Sequence, residues 1–553
     1  MNLRYKLREQ ISNLLDNAID KCGFEKVLYT VESPRESSNG DFSTNIAMIL
    51  TKIAKKAPKI IAQEIISKIS LDGTYIEKIN VAGPGFINFY LSNDWLYDVL
   101  PQVEKMGERY GSIDVGKGKK IMVEFISANP TGPMHMGNAR GGALGDSMCA
   151  VLDFAGYNVT REFYLNDAGN QIEKFGMSLE ARYLQQCGQD VDFNEDWYQG
   201  EDIKLRASEF IQTNGDKYVG TSSEERRSAL TQYALEKNVE MMKKTLAGYR
   251  INYDVWFRES DLYKSGEVDE TIKLLKNNNR TYEKDGALWF KASEEGDKDD
   301  VLVRANGIPT YFAADIAYHK NKFVTREFDK VIDVWGADHH GHVARMKAAM
   351  EAVGVEPSKL EVVLMQLVRL MRGGEVARMS KRTGKAITLD DLLDEIGIDA
   401  ARFFFNMRNA GSHFDFDLDL AVEQSNNNPV FYVQYAHARI CSIIRLLSED
   451  GVSVKKAEDI DLKLLSAQEE LDLIKKIGEL PDEIYIASET LEPSKMARYS
   501  MDLANSFHSF YNACRVNVED KSLMNARLKL IDCVRITLAN VLRLLAVDAP
   551  EKM

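Results

Sequence analysis

At 553 residues the chain exceeds what one hydrophobic core fills, since single cores stop growing at roughly 250–300 residues, and three or four units are expected. Hydrophobic residues at 44% and charged residues at 28% fit a soluble globular protein and exclude a disordered one, and no run approaches the roughly 18 consecutive apolar residues of a membrane span. The formal net charge of −14 excludes a uniformly basic surface, yet Arg369, Arg372, Arg378, Lys381, Arg382 and Lys385 stand against one acid, Glu375, which concentrates positive charge locally.

In chain order, Met1–Gln10 is charged and has no apolar signal-like core, so a cytoplasmic protein without a membrane partner is expected. Residues 1–115 read as an α+β unit: an opening helix, a helical run after Asp41, and strands near Ile76–Val81 and Gly85–Leu91 separated by the turn Gly83-Pro84-Gly85. Residues 116–420 read as a Rossmann-like parallel-sheet domain. Ile121–Phe125 is its first buried strand, and Gly286–Phe290, Val301–Val303 and Val331–Trp335 supply further strand signals alternating with helical stretches such as Val343–Val353. A largely helical insertion, about 168–279, splits this sheet, with Leu235, Val239, Met242 and Leu246 on one stripe. Residues 421–553 read as an all-α bundle, in which Ile531, Val534, Leu538, Val541 and Leu545 share one face of the last helix. The six cysteines are scattered without a Cys-x-x-Cys pair, so they are expected to be reduced and buried, with no bound zinc.

Two segments carry phosphate chemistry. The strand Ile121–Phe125 leads through Asn129-Pro130-Thr131-Gly132-Pro133 into His135-Met136-Gly137-Asn138 and a helix. A strand, a glycine-bearing loop and a helix start form the place where α/β folds hold nucleotides, because free N–H groups and the helix dipole attract phosphate. Gly137 leaves room for a flat base, and His135 and Asn138 can donate hydrogen bonds to phosphate. Taken alone, this tetrapeptide reads equally as an exposed histidine at a helix start. The second segment, Arg378-Met379-Ser380-Lys381-Arg382, lies between Gly373-Gly374 and Thr383-Gly384, as a basic loop that closes over a triphosphate would. Lys381 would stabilise charge building on phosphate oxygens. Taken alone, a basic run is more often solvated surface.

The two segments occur in the order and context of the class I aminoacyl-tRNA synthetase signatures, His-x-Gly-His and Lys-Met-Ser-Lys-Ser. Asn138 stands where the second histidine is common and Arg378 replaces the first lysine. The whole chain resembles the arginyl-tRNA synthetase family, through Asn39-Gly40-Asp41-Phe42-Ser43-Thr44-Asn45 and Gly83-Pro84-Gly85-Phe86-Ile87-Asn88 near the start. Val123–Pro133, Leu165–Gln171, Pro309–Asp315 and Gly336–His342 carry it through the middle, and Ala549–Met553 carries it at the end.

That resemblance implies that ATP, as its Mg²⁺ complex, activates L-arginine, and that the arginyl group then passes to tRNA(Arg). It implies an ATP site of Pro133, His135, Gly137, Asn138, Met379, Ser380 and Lys381, in which His135, Asn138, Lys381 and Arg378 act on the transition state. It places Glu124, Asn129, Tyr311, Asp315 and His339 at the arginine, in line with the need of a planar guanidinium for acidic acceptors. It further implies tRNA contacts at Phe86 and Asn88 and, in the helical bundle, at Tyr511 and Arg515, and a monomer whose activation step commonly waits for tRNA. Phe507 and Phe510 read more readily as core than as stacking surface. His339, His340 and His342 lack the i, i+4 spacing of a helical zinc site, and a metal there is not expected. The competing readings are a synthetase for another amino acid, a small nucleotidyltransferase, and a non-catalytic RNA-binding relative.

Overall fold

The computed structural model describes residues 3–34, 36–292, 298–377 and 387–553. The opening helix, Leu3–Cys22, buries Leu7, Ile11, Leu15, Ala18 and Ile19, a three-to-four-residue spacing that turns one stripe inward. It packs beside an antiparallel sheet of β1 (Val31–Glu32), β2 (Phe42–Thr44), β3 (Ile76–Ala82) and β4 (Phe86–Leu91) in the order β1-β2-β4-β3. Gly85, at φ +136°, closes the β3–β4 turn so tightly that a Cβ there would lie 2.6 Å from Cβ of Pro58, which only glycine avoids.

The central sheet is fully parallel. It comprises β5 (Lys120–Glu124), β6 (Asn158–Leu165), β7 (Val255–Arg258), β11 (Lys330–Gly336) and β12 (Leu360–Met365), in the order β12-β11-β5-β6-β7. From β5 the chain proceeds outward through β6 and β7, then returns to the other side of β5 with β11. The crevice at the carboxyl ends of β5 and β11 is therefore the topological switch point, where such sheets hold ligands. Helix Gly137–Phe154 connects β5 to β6 and lies close on the sheet. A Cβ on Gly145 would sit 2.3 Å from Cγ of Phe125.

Two features differ from the sequence expectation. First, β7 falls inside the 168–279 stretch read as a helical insertion, yet it pairs with β6 in the central sheet. It is only four residues long between long helices, too short for period-two alternation to stand out. The helical excursion proper is Asn170–Gln186, Glu201–Asn214 and Ser223–Gly248, with its own core of Phe175, Leu179, Tyr183, Phe210 and Leu230. Second, β8 (Thr281–Lys284), β9 (Ala287–Phe290) and β10 (Asp300–Val303) form a separate antiparallel sheet and do not join the parallel one. Their short connections suit hairpins, whereas parallel neighbours need a crossover. A small third sheet holds β13 (Val368–Arg372), β14 (Glu375–Val376) and β15 (Phe414–Asp417).

The carboxyl-terminal region is a bundle of helices Pro429–Glu449, Gln468–Gly478, Leu480–Thr490, Ser494–Ala513 and Lys521–Leu544. Ile531, Val534, Leu538, Val541 and Leu545 are all buried, and Asp520 starts the last helix by accepting from the backbone N–H groups of Ser522 and Leu523. The bundle meets the opening helix through buried charge: Nε of Arg4 donates to Oδ2 of Asp482 at 2.7 Å, and Arg8 lies 3.1 Å from Oδ1. Of the cysteines, Cys149, Cys514 and Cys533 are buried, whereas Cys22, Cys187 and Cys441 are half-exposed, two of them at helix ends; all six are free thiols. Among the described residues no helix is long and apolar enough to cross a membrane.

Candidate active site

The site begins where β5 ends. Glu124 is the last residue of β5, and the chain then turns so sharply that Ile126 and Ser127 adopt φ of +70° and +45°, with the N–H of Ser127 donating to the carbonyl of Phe125 at 3.0 Å. A β-branched residue at positive φ is sterically disfavoured, and such strain persists where surrounding structure over-determines it. The turn lets Ser127 donate from Oγ to Oε1 of Glu124 at 2.8 Å, while Nζ of Lys322 donates to Oε2 at 2.6 Å.

Glu124, Asp315 and His339 line one cavity of about 220 Å³, walled also by Tyr164, Trp335 and His342. A second cavity of about 470 Å³ shares Asp315, His339 and His342 with it and adds Tyr311, so the two adjoin across these three side chains. Tyr311 and Asp315 lie one turn apart on helix Tyr311–Lys320. Nε2 of His342 approaches Oδ2 of Asp315 at 3.3 Å, and the His342 ring leans on Trp335 and Phe312. The side chain of Asn129 is turned to Gln171, donating to its Oε1 at 2.5 Å, and does not line either cavity.

Sequence reasoning missed two charged residues here. Glu259 is buried, with Oε1 lacking a hydrogen-bond partner among the described residues. Burial first, and then the charge of Asp315, push its carboxyl up to about 7, against the pull of the Tyr164 and Tyr263 hydroxyls. Lys322 is fully buried on a π-helical turn, Asn321–Thr325, a distortion common at functional sites. In the sequence Glu259 follows a short strand and Lys322 belongs to a charged run, and neither position shows what it packs against. The aromatic run before Glu259, Tyr253 to Phe257, was the one signal that a sheet strand delivers it.

The loop expected to meet phosphate, Pro133–Asn138, leads into the amino end of helix Gly137–Phe154. Pro133, His135 and Gly137 are exposed and Asn138 is half-exposed. Gly137 N–H points at Nδ1 of His135 (3.2 Å); with Nδ1 accepting, a neutral ring carries its hydrogen on Nε2 and presents it outward. Oδ1 of Asn138 accepts from the N–H of His135 at 3.1 Å, which shapes the loop and leaves the amide nitrogen as donor. Arg378, Met379, Ser380 and Lys381 lie outside the described residues. The segment that follows them is joined to the His135 loop: Met136 N–H donates to Ile387 O at 3.2 Å, and Leu389 N–H to Met134 O at 2.9 Å.

Two distant surfaces hold the remaining residues. Phe86, 38% exposed, and buried Asn88 line a pocket of about 530 Å³ in the amino-terminal unit. There Oδ1 of Asn88 accepts from Ser43, and Oδ1 of Asn45 is buried without a hydrogen-bond partner among the described residues. In the bundle, the guanidinium of Arg439 lies 4.4 Å from the ring centroid of Tyr511, Arg515 is exposed, and Phe507 and Phe510 are fully buried.

Comparison with known proteins accounts for nearly the entire chain. Family models match in succession: the arginyl tRNA synthetase N terminal domain at residues 6–91, the class I (R) tRNA synthetase catalytic domain at 100–439, and the DALR anticodon binding domain at 433–553. The chain is 60% identical to an arginine–tRNA ligase of Ruminiclostridium cellulolyticum and 58% identical to one of Caldanaerobacter subterraneus, over 100% of each chain in both pairs. Its fold is similar to that of Thermus thermophilus arginyl-tRNA synthetase, with a TM-score of 0.79 at 23% identity over 99% of this chain and 100% of that one. A parallel sheet with an acid-lined switch point, a glycine-bearing loop at a helix start, and relatives alike from end to end lead to one conclusion: the chain belongs to the arginyl-tRNA synthetase family of class I aminoacyl-tRNA synthetases.

Proposed function

We propose that the cavity between β5 and β11 receives L-arginine, with Asp315 and Glu259 flanking its guanidinium group, Glu124 held at the floor and Tyr311 and His339 at the rim. The chain is an arginine–tRNA ligase. The arginine carboxylate attacks the α-phosphorus of ATP, brought in with Mg²⁺, and pyrophosphate leaves. A hydroxyl of the terminal ribose of tRNA(Arg) then attacks the arginyl carbonyl, and AMP leaves. The substrate supplies its own nucleophile, so the residues contribute position and charge stabilisation. His135 offers Nε2–H and Asn138 its amide to phosphate oxygens, while Pro133 and Gly137 border the base. Arg378, Met379, Ser380 and Lys381 serve the triphosphate from the other side, and Asn129 turns from Gln171 to the substrate.

The observation that carries this reading is the pair of carboxylates set side by side, Asp315 in the cavity wall and Glu259 buried next to it, with burial and the Asp315 charge raising the Glu259 carboxyl. A guanidinium fork can satisfy two carboxylates at once, whereas the single ammonium of lysine leaves acceptors empty. The pocket at Phe86 and Asn88 takes an unstacked base from the tRNA elbow, and Tyr511 with Arg515 meets the anticodon loop, since single-stranded bases are held by aromatic faces and amide edges. The domain limits near 115 and 420, a monomeric state and a cytoplasmic location belong to the same reading.

Charging assays with ATP, Mg²⁺, total tRNA and each labelled amino acid in turn test it, with Glu259→Gln and Lys381→Ala alongside. Esterification of arginine alone, weakened in both variants, is the expected result. Charging of a different amino acid would overturn the pocket, and tRNA binding without any charging would overturn the activity.

A further inference from the structure

Beneath the cavity lies a buried chain of polar contacts that the reaction as described does not use. Nζ of Lys322 donates to Oε2 of Glu124 at 2.6 Å and to Oδ1 of Asp333 at 2.9 Å, and all three side chains are at most 9% exposed. The Tyr318 ring caps the ammonium at 4.1 Å from its centroid. From Asp333 the chain continues through Oδ2 to Nε2 of His319 at 2.7 Å, and from Nδ1 of His319 to the backbone carbonyl of Asp315 at 2.8 Å. From Glu124 it continues through Oε1 to Ser127, whose Oγ accepts from the N–H of Tyr164 at 3.2 Å. One line of contacts thus runs from the loop after β5, under the cavity floor, to the helix that carries Asp315.

We propose that Lys322 is a positioning residue for the arginine site: by bridging Glu124 to Asp333 it fixes the floor carboxylate and ties it to the helix turn that presents Asp315. Two carboxylates this close to one another and this far from water do not both stay ionised without a cation between them. Lys322 is that cation, and the π-helical turn at Asn321–Thr325 is what carries its short reach back under the sheet. Both oxygens of Glu124 are engaged by the chain itself, so its orientation is set before any substrate arrives, which is how a binding site discriminates without paying ordering entropy at the moment of contact. Removing the ammonium would leave Glu124 and Asp333 to share a proton and let the floor turn away. The loss would fall on arginine, because the contacts run to Glu124 and Asp315 and none reaches the His135 loop.

The inference rests on the arginine assignment of the cavity, and steady-state charging of the full-length protein separates the two. Arginine, ATP and tRNA are titrated in turn for the wild type, Lys322→Met, Asp333→Asn and the double variant. Wild-type charging with arginine establishes the site first. Lys322→Met is then expected to raise the KM for arginine tenfold or more while the KM for ATP stays within twofold. The double variant, which removes one charge of each sign, is expected to recover at least threefold of that loss. Should Lys322→Met fail to fold, Asp333→Asn alone still decides: an arginine KM raised about threefold with ATP unaffected supports the bridge. Equal changes for arginine and ATP, an unchanged arginine KM, or a double variant no better than Lys322→Met would overturn the proposal.

Discussion

Two pockets of the molecule are built from opposite materials. The cavity over the switch point gathers Glu124 and Asp315, with Glu259 buried beside Asp315 and Lys322 and Asp333 beneath. The pocket of the amino-terminal unit is lined, among the described residues, by amides and hydroxyls of Asn39, Asn45, Asn88, Ser43 and Thr44, with Glu32 as its one acid and Phe86 at its rim. Charge buried in low dielectric discriminates strongly between ligands of different charge, and it also makes binding depend on protonation. Neutral amides read an edge pattern and respond little to pH. The contrast teaches that the two pockets suit different ligands, the proposed cationic arginine and the proposed nucleobase, so each should fail separately.

The largest expected effect is at Glu259. Glu259→Gln keeps the shape and removes the charge, and a hydrogen bond to a charged group contributes about 1.5–3 kcal/mol, so the arginine KM should rise roughly 10–100-fold, read by charging at varied arginine with saturating tRNA. An unchanged value would remove Glu259 from the site. Next comes pH. Because the Glu259 carboxyl titrates near 7, well above an ordinary glutamate, the ligand-free site holds a proton below that value, and a bound cation favours its release. Arginine binding should therefore weaken as pH falls from 8 to 6, by roughly tenfold for one group, and Glu259→Gln should flatten the profile. The sign for folding is the reverse: the raised value adds stability to the ligand-free fold as pH drops from 7 towards 4.5.

A smaller effect is expected in the neutral pocket. Phe86→Ala should raise the KM for tRNA about fivefold, in keeping with ~1 kcal/mol for the loss of a stacking face, with the arginine KM and the pH profile unmoved. A shift in either would erase the contrast between the pockets. The smallest is a control on the same unit: Lys56 and Glu64 pair at 2.7 Å with side chains 45% and 36% exposed, and Glu64→Ala should change unfolding free energy by less than about 0.5 kcal/mol in a denaturant titration.

How much of this was legible beforehand depends on what kind of information placed each residue. The strand at Ile121–Phe125 and the one at Val331–Trp335 announce themselves as apolar runs, and pairing them in parallel brings Glu124 and Asp315 to one cavity from opposite ends of a long excursion. Local pattern could do that because sheet periodicity and crossover rules are general. The antiparallel sheet β8-β9-β10 was read into the wrong layer, since strand signals carry no label of partner. Lys322 lies in a stretch, His319 to Lys330, dense with charge, where a solvated face is the natural reading. It becomes the most deeply buried cation of the site only through the π turn and through Asp333 arriving on β11. The Arg378–Lys381 segment lies outside the described residues, but its flank at Ile387–Leu389 is bonded to Met134 and Met136 of the His135 loop, a proximity that no spacing rule across so long a separation could supply.

The ion pair between the opening helix and the bundle has a consequence in time. Arg4 lies against Asp482, 478 residues further along, so its carboxylate partner arrives only with the bundle that also takes the pair out of water. A ribosome adding about 5–20 residues per second takes on the order of a minute to deliver that partner. Throughout that interval the first-made domain carries an open seat for a carboxylate, so the amino-terminal unit should reach its full resistance to proteolysis only once the last-made domain has been released and docked.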